Sequence, residues 1–217
     1  MKILILCTGN SCRSQMAHGF LQSFDPGLSV YSAGTKASGK VNPKAIEAMQ
    51  EAGVDISHHT SDSVDDYIDD EWDYVITVCG GANESCPTFS GKVKNRLHIG
   101  FDDPSEAAGT PEFIQSEYIR VRDEIKKAFY NFYQHHILFN QLDESSDYVI
   151  ICHCGKITLG NIRNAVKANC TDIKSVRNYL NKHNTGKCKE LSPNGVCCHE
   201  RFEKVIGLLT NNILRNE

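Results

Sequence analysis

Cys7 opens a C-x5-R-S loop, Cys7-Thr8-Gly9-Asn10-Ser11-Cys12-Arg13-Ser14, which joins an apolar run to a helical pattern. A loop that opens onto a helix N-terminus turns several backbone N–H groups inward and makes a nest for an anion. Arg13 can give a tetrahedral oxyanion two parallel charged hydrogen bonds. Gly9 is read as the residue whose backbone adopts angles closed to other residues. The same field favours thiolate over thiol at Cys7, since cysteines so placed fall to a pKa of roughly 3.5–7.5. Ser14 is read as a further hydrogen-bond donor to that thiolate. The expected chemistry is attack by a thiolate on an oxyanion held by Thr8, Gly9, Asn10, Ser11, Cys12 and Arg13.

Two further thiols stand in a pattern of their own. Cys79 closes another apolar run, and Cys86 follows after a segment that begins Gly80-Gly81. A glycine-rich segment between two cysteines suits a disulfide that forms by moving a loop. A separate group lies near the C-terminus: Cys152-His153-Cys154, then Cys188, then Cys197-Cys198. Four thiolates from two loops fit either a [2Fe–2S] cluster or zinc, and their softness excludes magnesium and calcium. Cys170 falls at a predicted helix end and reads as a structural thiol. His153 and His199 read as bystanders, although imidazole is also a zinc ligand.

The elements around these residues follow from hydrophobic spacing. Residues 2–6 are a continuous apolar run, the pattern of a buried parallel strand. Strands are also expected at 28–33, 74–78 and 97–99, with helices at 14–24, 43–52 and 111–136. Alternating strands and helices imply an α/β fold, a parallel sheet flanked by helices. Chemistry then belongs at the carboxyl ends of the strands, where Cys7, Cys79 and Asp103 fall. Residues 137–147 read as a linker between a domain at 1–136 and a second at 148–217. After a short apolar stretch at 148–151, helices are expected at 158–169, 172–180 and 198–214, making a small, mainly α-helical metal-binding domain. About 70 residues bury a small core, which a metal helps to fix.

Composition limits the remaining possibilities. The chain has 217 residues, 40% hydrophobic and 23% charged, an ordinary globular balance. The net charge of -4 argues against general nucleic-acid binding. Residues 1–146 hold 12 Lys/Arg against 21 Asp/Glu, and residues 147–217 hold 11 against 6, a shift that suggests two units of different origin. The apolar run before Cys7 is too short for a signal peptide or a membrane span. Ten cysteines in a chain without a leader point to the cytoplasm and to redox or metal chemistry rather than structural disulfides.

The loop resembles that of the low-molecular-weight protein tyrosine phosphatases, and within them the thioredoxin-coupled arsenate reductases. The resemblance rests on CTGNSCRSQMA (7–17), YSAGT (31–35), NPKAIEAM (42–49), HTSD (59–62), GFDDP (100–104) and RVRDEIK (120–126). It implies arsenate as substrate, thioredoxin or a similar thiol as reductant, no nucleotide cofactor, and a Cys7–Cys79–Cys86 relay. A phosphatase needs one thiol, whereas a reductase needs a second to attack the first. The resemblance makes Asp103 the general acid that protonates the leaving oxygen and gives Cys12 no essential role. Ser105-Glu106 replaces the aromatic residues that many tyrosine phosphatases carry after this Asp-Pro, which lowers the expectation of phosphatase activity. Some members hold a structural potassium ion; Asn10, Ser32 and Asp62 match its ligands, but His18 replaces an acidic residue, so no potassium dependence is expected. The C-terminal segment resembles the bacterioferritin-associated ferredoxins through CHCGKITLGNIRNAVK (152–167), TGKC (185–188) and CHERFEKVI (198–206). That resemblance implies a [2Fe–2S] cluster on Cys152, Cys154, Cys188 and Cys198. Residues 189–197 interrupt the second cysteine pair, and Cys197 is the alternative fourth ligand. Two other functions stay open: a phosphatase, or a redox or metal sensor.

Overall fold

The structure, a computed structural model, describes residues 1–84, 87–140 and 142–214. The chain divides into two compact units, Met1–Tyr130 and Asn131–Glu217.

In the first unit, β1 (Lys2–Cys7), β2 (Ser29–Gly34), β3 (Trp72–Thr77) and β4 (Val93–His98) form one parallel sheet in the order β2-β1-β3-β4. Ile3, Leu4, Ile5 and Leu6 are wholly buried, as a central parallel strand covered on both faces requires. Parallel neighbours need crossovers, and helices supply them: α1 (Arg13–Phe24), α2 (Pro43–Glu51) and the short α3 (Gly80–Glu84), while α4 (Pro111–Phe132) follows β4. Helix α1 packs on β1 and β2 and buries Met16, Ala17, Phe20 and Leu21. Phe20 alone contributes about 1.5–3 kcal/mol by leaving water. Helix α2 starts where Asn42 caps Lys44 N at 2.9 Å and Pro43 occupies the first turn.

Register places the chemistry. Leu6 of β1 pairs with Thr77 of β3, and Cys7 with Gly34 of β2. The chain segments carrying Cys7 and Cys79 therefore leave the sheet side by side at its carboxyl edge. Two elements differ from expectation. Strand β4 is longer than residues 97–99, because its Lys94, Asn95 and Arg96 are exposed on an edge strand and hide the apolar signal. The Gly80-Gly81 segment, expected to be irregular, begins as a helical turn.

In the second unit, β5 (Ile150–Cys152) and β6 (Ile157–Thr158) form a small antiparallel pair followed by α5 (Leu159–Lys167), α6 (Ile173–Tyr179), α7 (Cys188–Leu191) and α8 (His199–Leu214). Capping boxes at Thr158/Asn161 and Asp172/Ser175 start α5 and α6. Leu159, Ile162 and Ala165 of α5 and Phe202, Val205 and Leu209 of α8 are buried where these helices pack. The stretch expected as a linker at 137–147 is instead folded into this unit. Ile137, Leu138 and Ser146 are buried, and Arg163 donates to Asp147 Oδ1 at 2.9 Å and to the carbonyls of Leu142 and Asp143 at 2.9 and 2.8 Å. The predicted helix 111–136 ends as α4 at Phe132 and passes into a π-helical turn, Tyr133–Ile137. Among the described residues, no helix is long and apolar enough to cross a membrane.

Candidate functional site

A cavity of about 510 Å³ at the carboxyl edge of the sheet is lined by the cradle residues Cys7 to Gly9 and Ser11 to Arg13, by Cys79, and by Asp103. Across it, Cys7 Sγ donates to Cys79 Sγ at 3.4 Å. Cys79 Sγ also accepts from Thr8 N at 3.3 Å and lies 3.4 Å from Thr8 Oγ1. Two glycines admit this crowding: a Cβ on Gly81 would stand 2.9 Å from Thr8 Oγ1, and one on Gly34 2.7 Å from Thr8 O. The hydrogen bond from Cys7, then those from Thr8 and Ala82, pull the Cys79 thiol down to about 5. The same bond, with burial, pushes Cys7 up, and Arg13 opposes it only in part. In this arrangement Cys7 is the donor and Cys79 the acceptor, which favours the charged form at Cys79 over that at Cys7.

The cradle's backbone turn is made by Asn10, not by Gly9: Asn10 has φ 46°, whereas Gly9 has an ordinary negative or extended angle. Wholly buried Asn10 donates through Nδ2 to Ser14 Oγ at 3.0 Å and accepts at Oδ1 from Asp62 N at 2.9 Å. Ser14 is thus engaged with Asn10, and among the hydrogen bonds of the described residues none joins it to Cys7. The N-cap of α1 is Cys12, which caps nothing with its side chain. The free N–H groups of the first turn therefore remain for a bound anion. Cys12 is buried with Sγ 3.8 Å from Tyr118 Oη, and burial pushes its thiol up, as suits a packing residue.

Arg13 is buried at the foot of α1. Its Nη1 donates to Phe101 O at 3.1 Å and its Nη2 to Asp103 Oδ2. Among the described residues its Nε is buried with no hydrogen-bond partner, a donor lacking an acceptor. Asp103 Oδ1 accepts from Ser105 N at 3.0 Å and Ser105 Oγ at 2.7 Å. Ser105 and Glu106 line the mouth of the same cavity. Cys86 lies outside the described residues.

Sequence reading missed the support behind the cradle. Gln15, wholly buried, donates through Nε2 to Asn10 O at 3.0 Å and Thr60 O at 2.7 Å, and its Oε1 meets His59 Nδ1 at 2.9 Å. The His59 ring lies tilted against His18 with ring centroids 4.3 Å apart, and His18 Nδ1 faces Ser32 Oγ at 3.3 Å. The Asp62 carboxylate accepts from Thr60 Oγ1 at 3.1 Å and Tyr67 Oη at 3.0 Å. The potassium-site resemblance groups His18 with Asn10, Ser32 and Asp62, but no signal in the sequence places Gln15 or His59 beside them. Burial, then the neighbouring imidazoles, holds His18 down at about 3 and His59 at about 4. Both are neutral when folded and take up protons near 6.5 when unfolded. Their contribution to stability is full above pH 6.5 and is lost as pH falls from there toward 4 and 3. His18→Phe keeps an aromatic ring but cannot be protonated. It should flatten the fall of the thermal midpoint between pH 6.5 and 4, measured by calorimetry; an unchanged slope counts against this role.

In the second unit five thiols form a chain of close contacts. Cys152 Sγ and Cys154 Sγ are 3.6 Å apart, Cys154 and Cys188 3.8 Å, and Cys188 and Cys197 3.7 Å. Cys198 hydrogen-bonds Cys152 at the other end. That bond, more than any other cause, pulls Cys152 down to about 5. Arg177 Nη2 donates to Cys152 Sγ at 3.3 Å. Cys152, Cys154 and Cys198 are buried, Cys188 is half-buried and Cys197 exposed. Among the described residues, no three Cys, His, Asp or Glu side chains surround a single metal position. His199 pairs with Glu203 at 3.3 Å.

Comparison with known proteins bears on the first unit. Residues 2–141 match the family described as low molecular weight phosphotyrosine protein phosphatase. An arsenate reductase of Staphylococcus aureus (strain Newman) is 53% identical over 131 residues, 60% of this chain and 94% of that protein. One of Halalkalibacterium halodurans is 49% identical over 131 residues, 60% of this chain and 93% of that protein. A solved structure of an arsenate reductase in its oxidized state superposes with a TM-score of 0.50 at 31% identity, covering 60% of this chain and 94% of its own. With a thiol cradle, a buried arginine and a strand-end carboxylate set on the parallel sheet that carries this match, the chain belongs to the low molecular weight phosphotyrosine protein phosphatase family.

Proposed function

We propose that the first unit reduces arsenate to arsenite through thiols. The observation that carries this reading is the 3.4 Å approach of Cys79 Sγ to Cys7 Sγ across the cradle. Hydrolysis needs no second sulfur there, whereas reduction needs one poised on the first. Relatives 53% and 49% identical over this unit are arsenate reductases.

The Cys79 thiolate takes the Cys7 proton as Cys7 Sγ attacks arsenic, with the oxyanion held by Arg13 and the α1 N-terminus. The arsenic–oxygen bond breaks, and Asp103 protonates the departing oxygen. Cys79, after losing its proton, attacks Cys7 Sγ. The sulfur–arsenic bond breaks with its electron pair moving to arsenic, so As(V) becomes As(III) and leaves as arsenite. A Cys7–Cys79 disulfide remains. Cys86 then attacks Cys79 and expels the Cys7 thiolate, leaving a Cys79–Cys86 disulfide for thioredoxin or a similar dithiol to reduce. Such a reductant and the reduced thiols of the relay belong to the cytoplasm.

The competing activity on the same cradle is hydrolysis of an aryl phosphate. Ser105 and Glu106 at the cavity mouth offer an aryl ring no aromatic surface, which favours a small oxyanion. Steady-state turnover of arsenate with a thioredoxin system, beside hydrolysis of an aryl phosphate, tests the choice. Arsenite production that exceeds hydrolysis is expected, and the reverse would make this a phosphatase.

For the second unit we propose a [2Fe–2S] cluster on Cys152, Cys154, Cys188 and Cys198. Tetrahedral thiolates about 2.3 Å from a metal stand roughly 3.8 Å apart, and the neighbouring sulfurs lie 3.6 and 3.8 Å apart. Each iron of such a cluster takes two protein thiolates, so adjacent pairs support it without four sulfurs converging on one point. When bound, the cluster supplies one-electron chemistry. Cys197 is a fifth thiol, beside Cys188. Anaerobically purified protein should carry about two irons per chain, with matching acid-labile sulfide and visible absorption. Colourless protein holding one zinc and no iron would contradict the proposal.

A further inference from the structure

We infer that oxyanion binding in the cradle is coupled to proton uptake by Asp103, because that carboxylate occupies the oxyanion's place on Arg13. This rests on the reading of the cradle as an oxyanion site. Arg13 gives Nη1 to Phe101 O at 3.1 Å and Nη2 to Asp103 Oδ2, so the carboxylate sits on one nitrogen of the Nε/Nη2 fork, whose Nε has no acceptor among the described residues. Both partners are shielded: the Arg13 side chain is 11% exposed and that of Asp103 24%. Ser105 fixes the other carboxylate oxygen with N and Oγ at 3.0 and 2.7 Å. Asp103 therefore accepts from three donors and has no hydrogen bond through which it donates among the described residues. In that state it cannot serve as a general acid.

A tetrahedral oxyanion needs the same guanidinium, bound through two parallel N–H groups. When it takes Arg13, Asp103 loses its cation and gains an anion in the same cavity. A like charge at that distance favours the neutral carboxylic acid, so a proton passes from solvent to Asp103 Oδ2. No electrons move, and the only bond formed is O–H. The other titratable groups around Asp103 do not replace Arg13. Cys7, Cys12, Tyr118 and Glu106 bring no positive charge, and Arg120 is engaged by Asp102 at 3.1 Å, Glu117 at 2.9 Å and Glu124 at 2.8 Å. Binding the substrate thus loads the acid that the leaving oxygen needs, and the acid stays unloaded until substrate arrives.

The test is calorimetric titration of the reduced full-length protein with inorganic phosphate, which the thiols cannot reduce. It is run at pH 7 in two buffers of different ionisation enthalpy, for wild type and Asp103→Asn. Protonation of phosphate itself and any shift at Cys7 are common to both proteins, so the difference reports Asp103. Wild type should take up close to one proton more per phosphate than Asp103→Asn. The variant, freed of the competing carboxylate, should bind phosphate on the order of a thousandfold tighter, the linkage cost of raising a carboxyl from about 3.9 to above pH 7. Equal proton uptake, or phosphate binding by Asp103→Asn no tighter than by wild type, overturns the coupling. Phosphate binding to neither protein would instead overturn the oxyanion reading beneath it.

Discussion

Cys7→Ser should lower arsenite formation on the order of 10³–10⁶-fold, the range expected when a covalent nucleophile is removed. A serine hydroxyl is far less acidic than a thiol, and neither Arg13 nor the α1 N-terminus ionises it at neutral pH. Cys7 is buried at the end of β1, so a near-isosteric change leaves the packing intact. Phosphate binding measured alongside separates lost chemistry from a lost fold: a variant that still binds phosphate but forms no arsenite meets the expectation. A variant reducing arsenate within tenfold of wild type would remove Cys7 from the reaction.

Cys79→Ser should also abolish arsenite formation, yet it should spare any aryl phosphate hydrolysis. The difference follows from which bond each sulfur breaks. Hydrolysis ends when water attacks the phosphorus on Cys7, whereas reduction needs a second sulfur to attack Cys7 itself. The hydrogen bond from Cys7 to Cys79 is the largest cause of the raised Cys7 pKa. Removing Cys79 therefore lets Cys7 stay ionised to lower pH, and the acidic limb of any hydrolysis profile should move down in pH. The measurement is the pH dependence of both activities in the two proteins. Equal loss of reduction and hydrolysis would show that Cys79 supports the cradle rather than transferring electrons.

Much of this site was legible because its strands are central and parallel. Continuous apolar runs end at Cys7 and next to Cys79, and the spacing to Arg13 then fixes the cradle. Features that depend on contacts far apart in sequence were not legible. Strand β4 hides behind its exposed Lys94, Asn95 and Arg96, since an edge strand need not be apolar. The left-handed turn falls on Asn10 rather than on Gly9 because Ser14, Gln15 and Asp62 hold the Asn10 amide. The His18–His59 ring contact joins residues 41 positions apart, and no local pattern marks it. In the second unit the C-x-C spacing was readable. The pairing of Cys188 with Cys197, and of Cys198 with Cys152, emerges only when α7 and α8 are in place.

The most direct measurement of thiol-based reduction is a single turnover. Fully reduced wild-type protein is mixed with one equivalent of arsenate and no reductant, quenched in acid with an alkylating agent, and mapped by mass spectrometry while released arsenic is speciated. About one arsenite per chain, with Cys79 disulfide-linked to Cys86 and Cys7 returned to the thiol, is the predicted result. Arsenate recovered unchanged, with Cys7, Cys79 and Cys86 all alkylated as free thiols, would contradict it.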